Sequence, residues 1–128
     1  MLRCASLLAL SLSLGLALPA AAQTQRQFTS KALRGELVFG APPEVTLNGK
    51  PARLAPGARV RDANNLIQLP ASLAGRKAIV NYTLELEGQL LDVWILTAQE
   101  AAKQPWPRTL QEAQTWSFSD GGQVWIKP

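Results

Sequence analysis

The fold class this sequence predicts is mostly β: a small antiparallel barrel of five to six short strands, with a short C-terminal helical segment and a terminal hairpin. Three observations carry it. Residues 77–97, KAIVNYTLELEGQLLDVWILT, alternate apolar and polar positions around a glycine, the period of a half-buried hairpin. Asn48-Gly49 lies between two further short runs, and that pair suits a type I′ hairpin turn, which needs positive φ at both central residues. Turn residues then recur about every 8–12 positions. Closure into a barrel is preferred to an open sheet because it removes exposed strand edges.

The chain begins with Arg3, an apolar run over residues 7–18, and Pro19-Ala20-Ala21-Ala22. A positive start, an apolar stretch and small residues before a cut describe a secretory signal peptide over residues 1–22. The run is shorter than the roughly 20 apolar residues of a membrane span, so no transmembrane segment is expected after cleavage. Cys4 is the sole cysteine and lies in this leader, without the Leu-x-Gly/Ala context of a lipoprotein signal. Cleavage after Ala22 leaves 106 residues with no cysteine, twelve basic against nine acidic, net +3. That is one domain whose apolar core must hold it without disulfides.

Residues 23–30 are polar and read as a flexible N-terminal arm. The barrel is expected over residues 31–97. Leu33, Gly35, Leu37 and Phe39 share one strand face, with Arg34 and Glu36 on the other. Ala41-Pro42-Pro43 breaks that strand. Residues 45–54 form the Asn48-Gly49 hairpin with Val45 facing Ala52, and Pro51 marks an edge. Pro56-Gly57 reads as a turn before a short strand over 58–61. A loop over 62–65, a strand over 66–69 and a helical turn ending at Gly75 follow. In the 77–97 hairpin, a turn centred on Glu87-Gly88 sets Val80 opposite Ile95, Tyr82 opposite Val93 and Leu84 opposite Leu91. The other face carries Ile79, Trp94 and Leu96, which calls for a cover.

Residues 98–128 are that cover, a C-terminal extension packing on the barrel. Thr97-x-x-Glu100 and Thr109-x-x-Glu112 are capping-box patterns that open short helices. Pro105-Trp106-Pro107 is rigid and extended. Residues 116–118 and 123–126 flank Asp120-Gly121-Gly122 as a terminal hairpin. The four tryptophans, Trp94, Trp106, Trp116 and Trp125, would seal the mixed face around Ile79 and Leu96, since large rings bury much area.

The chain has no histidine, and its one cysteine is in the leader. Ser-His-Asp and Cys-His nucleophiles, His-ligated zinc and thiol redox chemistry are therefore excluded. No P-loop or dinucleotide fingerprint occurs. Glu85, Glu87 and Asp92 could supply a carboxylate pair of the glycosidase kind, but they read more simply as a solvated strand face. Ser30-Lys31 point apart in an extended chain. Asp120-Gly121-Gly122 lacks the further acidic ligands of a calcium loop. No catalytic residue, metal or cofactor is expected. Lys50, Arg53, Arg59 and Arg61 lie on neighbouring short strands and are the candidate ligand-binding residues. They would form a basic stripe for an anionic or sugar polymer. Nucleic acid is not the expected partner, because no aromatic platform is interleaved with these arginines.

The segments LNGKPARLAPGARVR, VNYTLE, VWILT and PWP resemble a family of small exported proteins of Gram-negative bacteria that carries no assigned activity. The likeness covers nearly all of the chain after the leader. More distantly, the NG hairpin and Leu73-Ala74-Gly75 before a long strand are similar to periplasmic domains with an OB-like barrel. The second likeness implies an OB/SH3-like fold. The leader and the missing chemistry make the expected protein a periplasmic or secreted, non-enzymatic accessory or interaction protein of the cell envelope, with an envelope protein or an anionic polymer as partner. The alternatives are a polymer binder using the basic stripe, and last a carboxylate-dependent hydrolase.

Overall fold

The computed structural model describes residues 25–128, and Gly15 by itself before them. The expected leader and its cleavage site lie outside the described residues, that glycine apart. No helix among the described residues is long and apolar enough to cross a membrane.

Five strands close a barrel. They are β1 (Leu33–Phe39), β2 (Glu44–Leu47), β3 (Lys50–Arg61), β5 (Lys77–Leu84) and β6 (Leu90–Ile95). Around the ring the order is β1-β2-β3-β6-β5 and back to β1. A short β4 (Ile67–Gln68) is appended to the end of β3. The barrel pairings are antiparallel except β3 with β6, which is parallel. A closed ring with an odd number of strands cannot alternate direction throughout, so closure with five strands demands one such pair.

Sequence periodicity puts the expected side chains inside. Leu33, Leu37, Phe39, Val80, Tyr82, Val93 and Ile95 are all buried in one core. Leu73, from the 3-10 turn Pro70–Leu73, joins them. That turn is tied to β1, where Gly75 N–H donates to Phe39 O and Phe39 N–H donates to Arg76 O. Asn48 and Gly49 take φ of 52° and 80°, as the tight hairpin requires, and Val45 lies opposite Ala52. Pro51 sits where β3 has β2 alone beside it, so its missing N–H costs no ladder bond.

Two register details differ from the sequence expectation. Pro56-Gly57 does not end a strand. β3 runs through it, and the register shifts between Leu54 and Arg59. Gly57 takes φ of 77° there, letting the strand bend from its β2 neighbour to β6. In the β5–β6 hairpin, Val80 pairs with Ile95 and Tyr82 with Val93 as expected, but Leu84 pairs with Leu90 rather than Leu91. The turn tightens through Gly88 N–H to Glu85 O and Glu85 N–H to Gln89 O. The resulting shift buries Leu90 completely.

The extension holds α1 (Ala98–Ala101), α2 (Leu110–Thr115) and the hairpin of β7 (Ser117–Ser119) with β8 (Val124–Ile126). Thr97 and Glu100 form both halves of a capping box. At Thr109 only the side-chain half is present, accepting from Glu112 N–H. Pro107 O accepts from Arg34 N–H at 2.8 Å, beside the part of β1 that β2 leaves open. A second cluster of Phe28, Ala32, Trp106 and Trp125 fills the junction, flanked by Trp94, Leu96, Trp116 and Phe118. The tail thus covers Leu96 but not Ile79, which is 37% exposed. The N-terminal arm contributes one residue to this junction. Phe28 is buried in that second cluster, because its ring meets Trp94 and Trp106 edge-on.

Gly35 leaves no room for a side chain on its face of β1. A Cβ there would stand 2.8 Å from Leu47 Cδ1 and 3.1 Å from the Tyr82 ring. Leu47 can swing away, but the Tyr82 ring is locked in the core. Gly35→Ala is expected to cost about 1–3 kcal/mol of stability, read from the shift of the urea midpoint.

Candidate functional site

A cleft of about 650 Å³ opens where the N-terminal arm, the loop after β3 and α1 meet. Its charged lining is Arg26, Arg34, Lys103 and Glu100, over the buried aromatics Phe28 and Trp106.

Arg26 is held from both sides. Its Nε donates to Glu100 Oε2 at 2.9 Å and its Nη2 to Glu100 Oε1 at 2.5 Å. Nη1 reaches Asp62 O and Nη2 reaches Ile95 O. The fork geometry of guanidinium and carboxylate makes this a strong, oriented pair. Burial acts to raise the pKa of Glu100. The hydrogen bonds from Arg26 and from Thr97 N–H, with the Arg26 charge, outweigh it and hold the carboxyl below its ordinary value of 4.5. Asp62 is also lowered, chiefly by the Leu66 N–H it accepts.

A carboxyl with a depressed folded pKa stabilises above its unfolded pKa and loses that contribution as pH falls through the folded value. Stability is therefore expected to drop as pH falls below about 4.5, with Glu100 a main contributor. Glu100→Gln should cost about 1–2 kcal/mol at pH 7 and flatten that acid limb. Urea midpoints from pH 7 to pH 2.5 check both effects.

Arg34 is the surprise of β1. It lies on the outward face, as its position in the alternation requires, yet it is only 5% exposed. Its Nε donates to Asn81 Oδ1 at 3.1 Å. Its Nη atoms donate to the carbonyls of Glu100 and Ala101, which end α1, and of Lys103 just beyond it. A helix end needs such donors for its orphan carbonyls. The guanidinium also lies 4.8 Å from the Trp106 ring centroid. Desolvation by burial lowers its pKa to about 10, against the attraction of Glu100, so it is charged at neutral pH. Asn81 Nδ2 and Trp125 Nε1 are buried without a partner among the described residues.

The four basic residues singled out from the sequence lie elsewhere and are dispersed. Arg53 pairs with Glu44 of β2 at 3.2 Å. Arg59 and Arg61 share Asp92 Oδ1 of β6, at 3.0 and 3.5 Å. Lys50 sits at the tip of the β2–β3 hairpin beside a shallow groove that Arg108 and Glu112 also line. The bulge at Gly57 separates Lys50 and Arg53 from Arg59 and Arg61. The carboxylates suggested for hydrolysis are likewise not assembled in the cleft. Glu85 Oε1 accepts from Gln89 N–H, Glu87 is exposed, and Asp92 is engaged by the two arginines.

Sequence reasoning missed Arg26, Arg34 and Lys103. One signal was present: Arg34 shares its sheet face with Asn81 and Trp94, the face that needed a cover. Fold and site together define a small closed β-barrel with a docked C-terminal extension and a mainly cationic cleft at their junction. Comparison with protein-family models, with curated proteins and with solved structures gives no match.

Proposed function

We propose that the chain is an exported, non-enzymatic binding protein of the cell envelope, periplasmic or secreted, that works by contact with another envelope protein. Residues 1–22 support export through their signal-peptide pattern. The absence of histidine from the sequence supports a role without nucleophilic catalysis. An OB-like reading of the barrel draws on the ring order: leaving out the short β4, the strands follow as first, second, third, fifth, fourth. That support is analogy at the level of fold. The likeness to small exported envelope proteins belongs to the same reading.

The observation that carries the contact role is the appended strand. Among the described residues, β4 pairs with β3 along one side only. Around it Leu66, Ile67 and Leu69 are 60%, 60% and 74% exposed. An open strand edge flanked by apolar side chains is what a partner strand adds to. The basic-stripe reading has less support, because three of its four residues are already paired with carboxylates. The test places a photo-crosslinking residue at position 69 in living cells. A discrete adduct with one envelope protein, abolished by Ile67→Asp, is the expected result. Crosslinking that is absent or unaffected by Ile67→Asp, with the protein present in the periplasmic fraction, would count against the reading.

A further inference from the structure

We infer that the cleft between the N-terminal arm, the loop after β3 and α1 binds a small polyhydroxylated carboxylic acid, a sugar acid. The inference goes beyond the strand-edge contact and uses different residues.

Charge comes first. Three cations, Arg26, Arg34 and Lys103, line the cleft against the single carboxylate of Glu100. That carboxylate is already engaged, its Oε1 by Arg26 and Thr97 N–H and its Oε2 by Arg26. The Lys103 ammonium has no ion pair among the described residues. Arg26 Nη1 and Arg34 Nη2 each spend one N–H on a backbone carbonyl, and each nitrogen carries two. The cleft therefore has a surplus of cationic donors. The group that answers it is acceptor-only and negative, such as a carboxylate.

The rim narrows the class. Gln25, Asn64, Asn65 and Gln99 are exposed around the opening. Their side-chain amides make no hydrogen bond to other described residues. An amide both donates and accepts, as a sugar hydroxyl does. Phe28 and Trp106 also line the cleft, each buried to 6% exposure, so they add apolar lining without an open ring face. At about 650 Å³, the space lies within the roughly 300–1,000 Å³ of small-molecule sites. The aromatics are too buried to serve as stacking platforms for nucleic-acid bases.

The test is an NMR titration of the purified, isotope-labelled protein with sodium glucuronate, glucose and sodium acetate at matched low ionic strength. Glucuronate is expected to shift the amides of residues 64, 65, 99 and 103 saturably, with glucose and acetate at least about tenfold weaker. Lys103→Gln should weaken glucuronate by about three- to tenfold while leaving the melting temperature unchanged. Shifts that do not saturate, acetate binding as tightly as glucuronate, or an unaltered affinity in Lys103→Gln would each overturn the inference. Because the readout is ligand binding and not the crosslink at position 69, failure here leaves the contact reading standing, and the reverse also holds.

Discussion

Replacing Trp106 with alanine is expected to lower the unfolding free energy by about 4 kcal/mol, the range for truncating a buried large aromatic. Trp106 is the hub of the second cluster. Its ring meets Phe28 at 5.9 Å, Phe118 at 5.9 Å and Trp125 at 6.1 Å, each inclined or edge-on. Its Nε1–H donates to Ala32 O at 2.9 Å. Removal leaves a cavity bounded by other rings and strands that buried carbonyl. Trp106→Phe keeps most of the apolar contact and loses the hydrogen bond, so about 1–2 kcal/mol is expected. Urea unfolding followed by circular dichroism measures both. In the alanine variant, limited proteolysis should cut within residues 98–128 before it cuts the barrel. A loss below about 1 kcal/mol would show that the rings do not anchor the extension.

The second large effect is expected at Arg34. Arg34→Ala should cost about 3 kcal/mol or more, because it strands Asn81 Oδ1 and the closing carbonyls of α1 away from water. Arg34→Met is the informative companion. It keeps the apolar stem, so if the loss is mainly of donors, methionine should be almost as damaging as alanine. The guanidinium also lies against the Trp106 ring. The double variant with Trp106→Ala should therefore lose less than the sum of the two single losses, by about 0.5–2 kcal/mol. Strict additivity would mean that the two side chains hold the extension independently.

Much of the barrel was legible because its determinants are local. Alternation in residues 77–97 placed Val80, Tyr82, Val93 and Ile95 inside, and the inward positions are among those buried. Asn48-Gly49 located a hairpin through the φ values its turn needs. Thr97 and Glu100 announced α1 through two reciprocal bonds within four residues. Leu90 was missed because one residue of slack in a turn is decided by the whole ladder, not by the turn. The split of the 50–61 run at Pro56-Gly57 was wrong for a related reason: a bulge and a turn share residue preferences, and only the neighbouring strand tells them apart.

The cleft was not legible at all. Arg26 and Glu100 are 74 residues apart in sequence. Arg34 and the end of α1 are almost as distant. No periodicity connects them, and an arginine on the outer face of a strand reads as solvated until something covers it.

The sequence alone therefore determined most of the strands, the Asn48-Gly49 turn and most of the side chains that point inward, since those follow from backbone conformation and a period of two. Tertiary structure decided which outward residues stay in water. The docked extension made Arg34 a buried clamp, left Ile79 bare and brought three cations around one carboxylate. Burial of an outer face depends on what chain returns to it, and long-range contact carries no local signature.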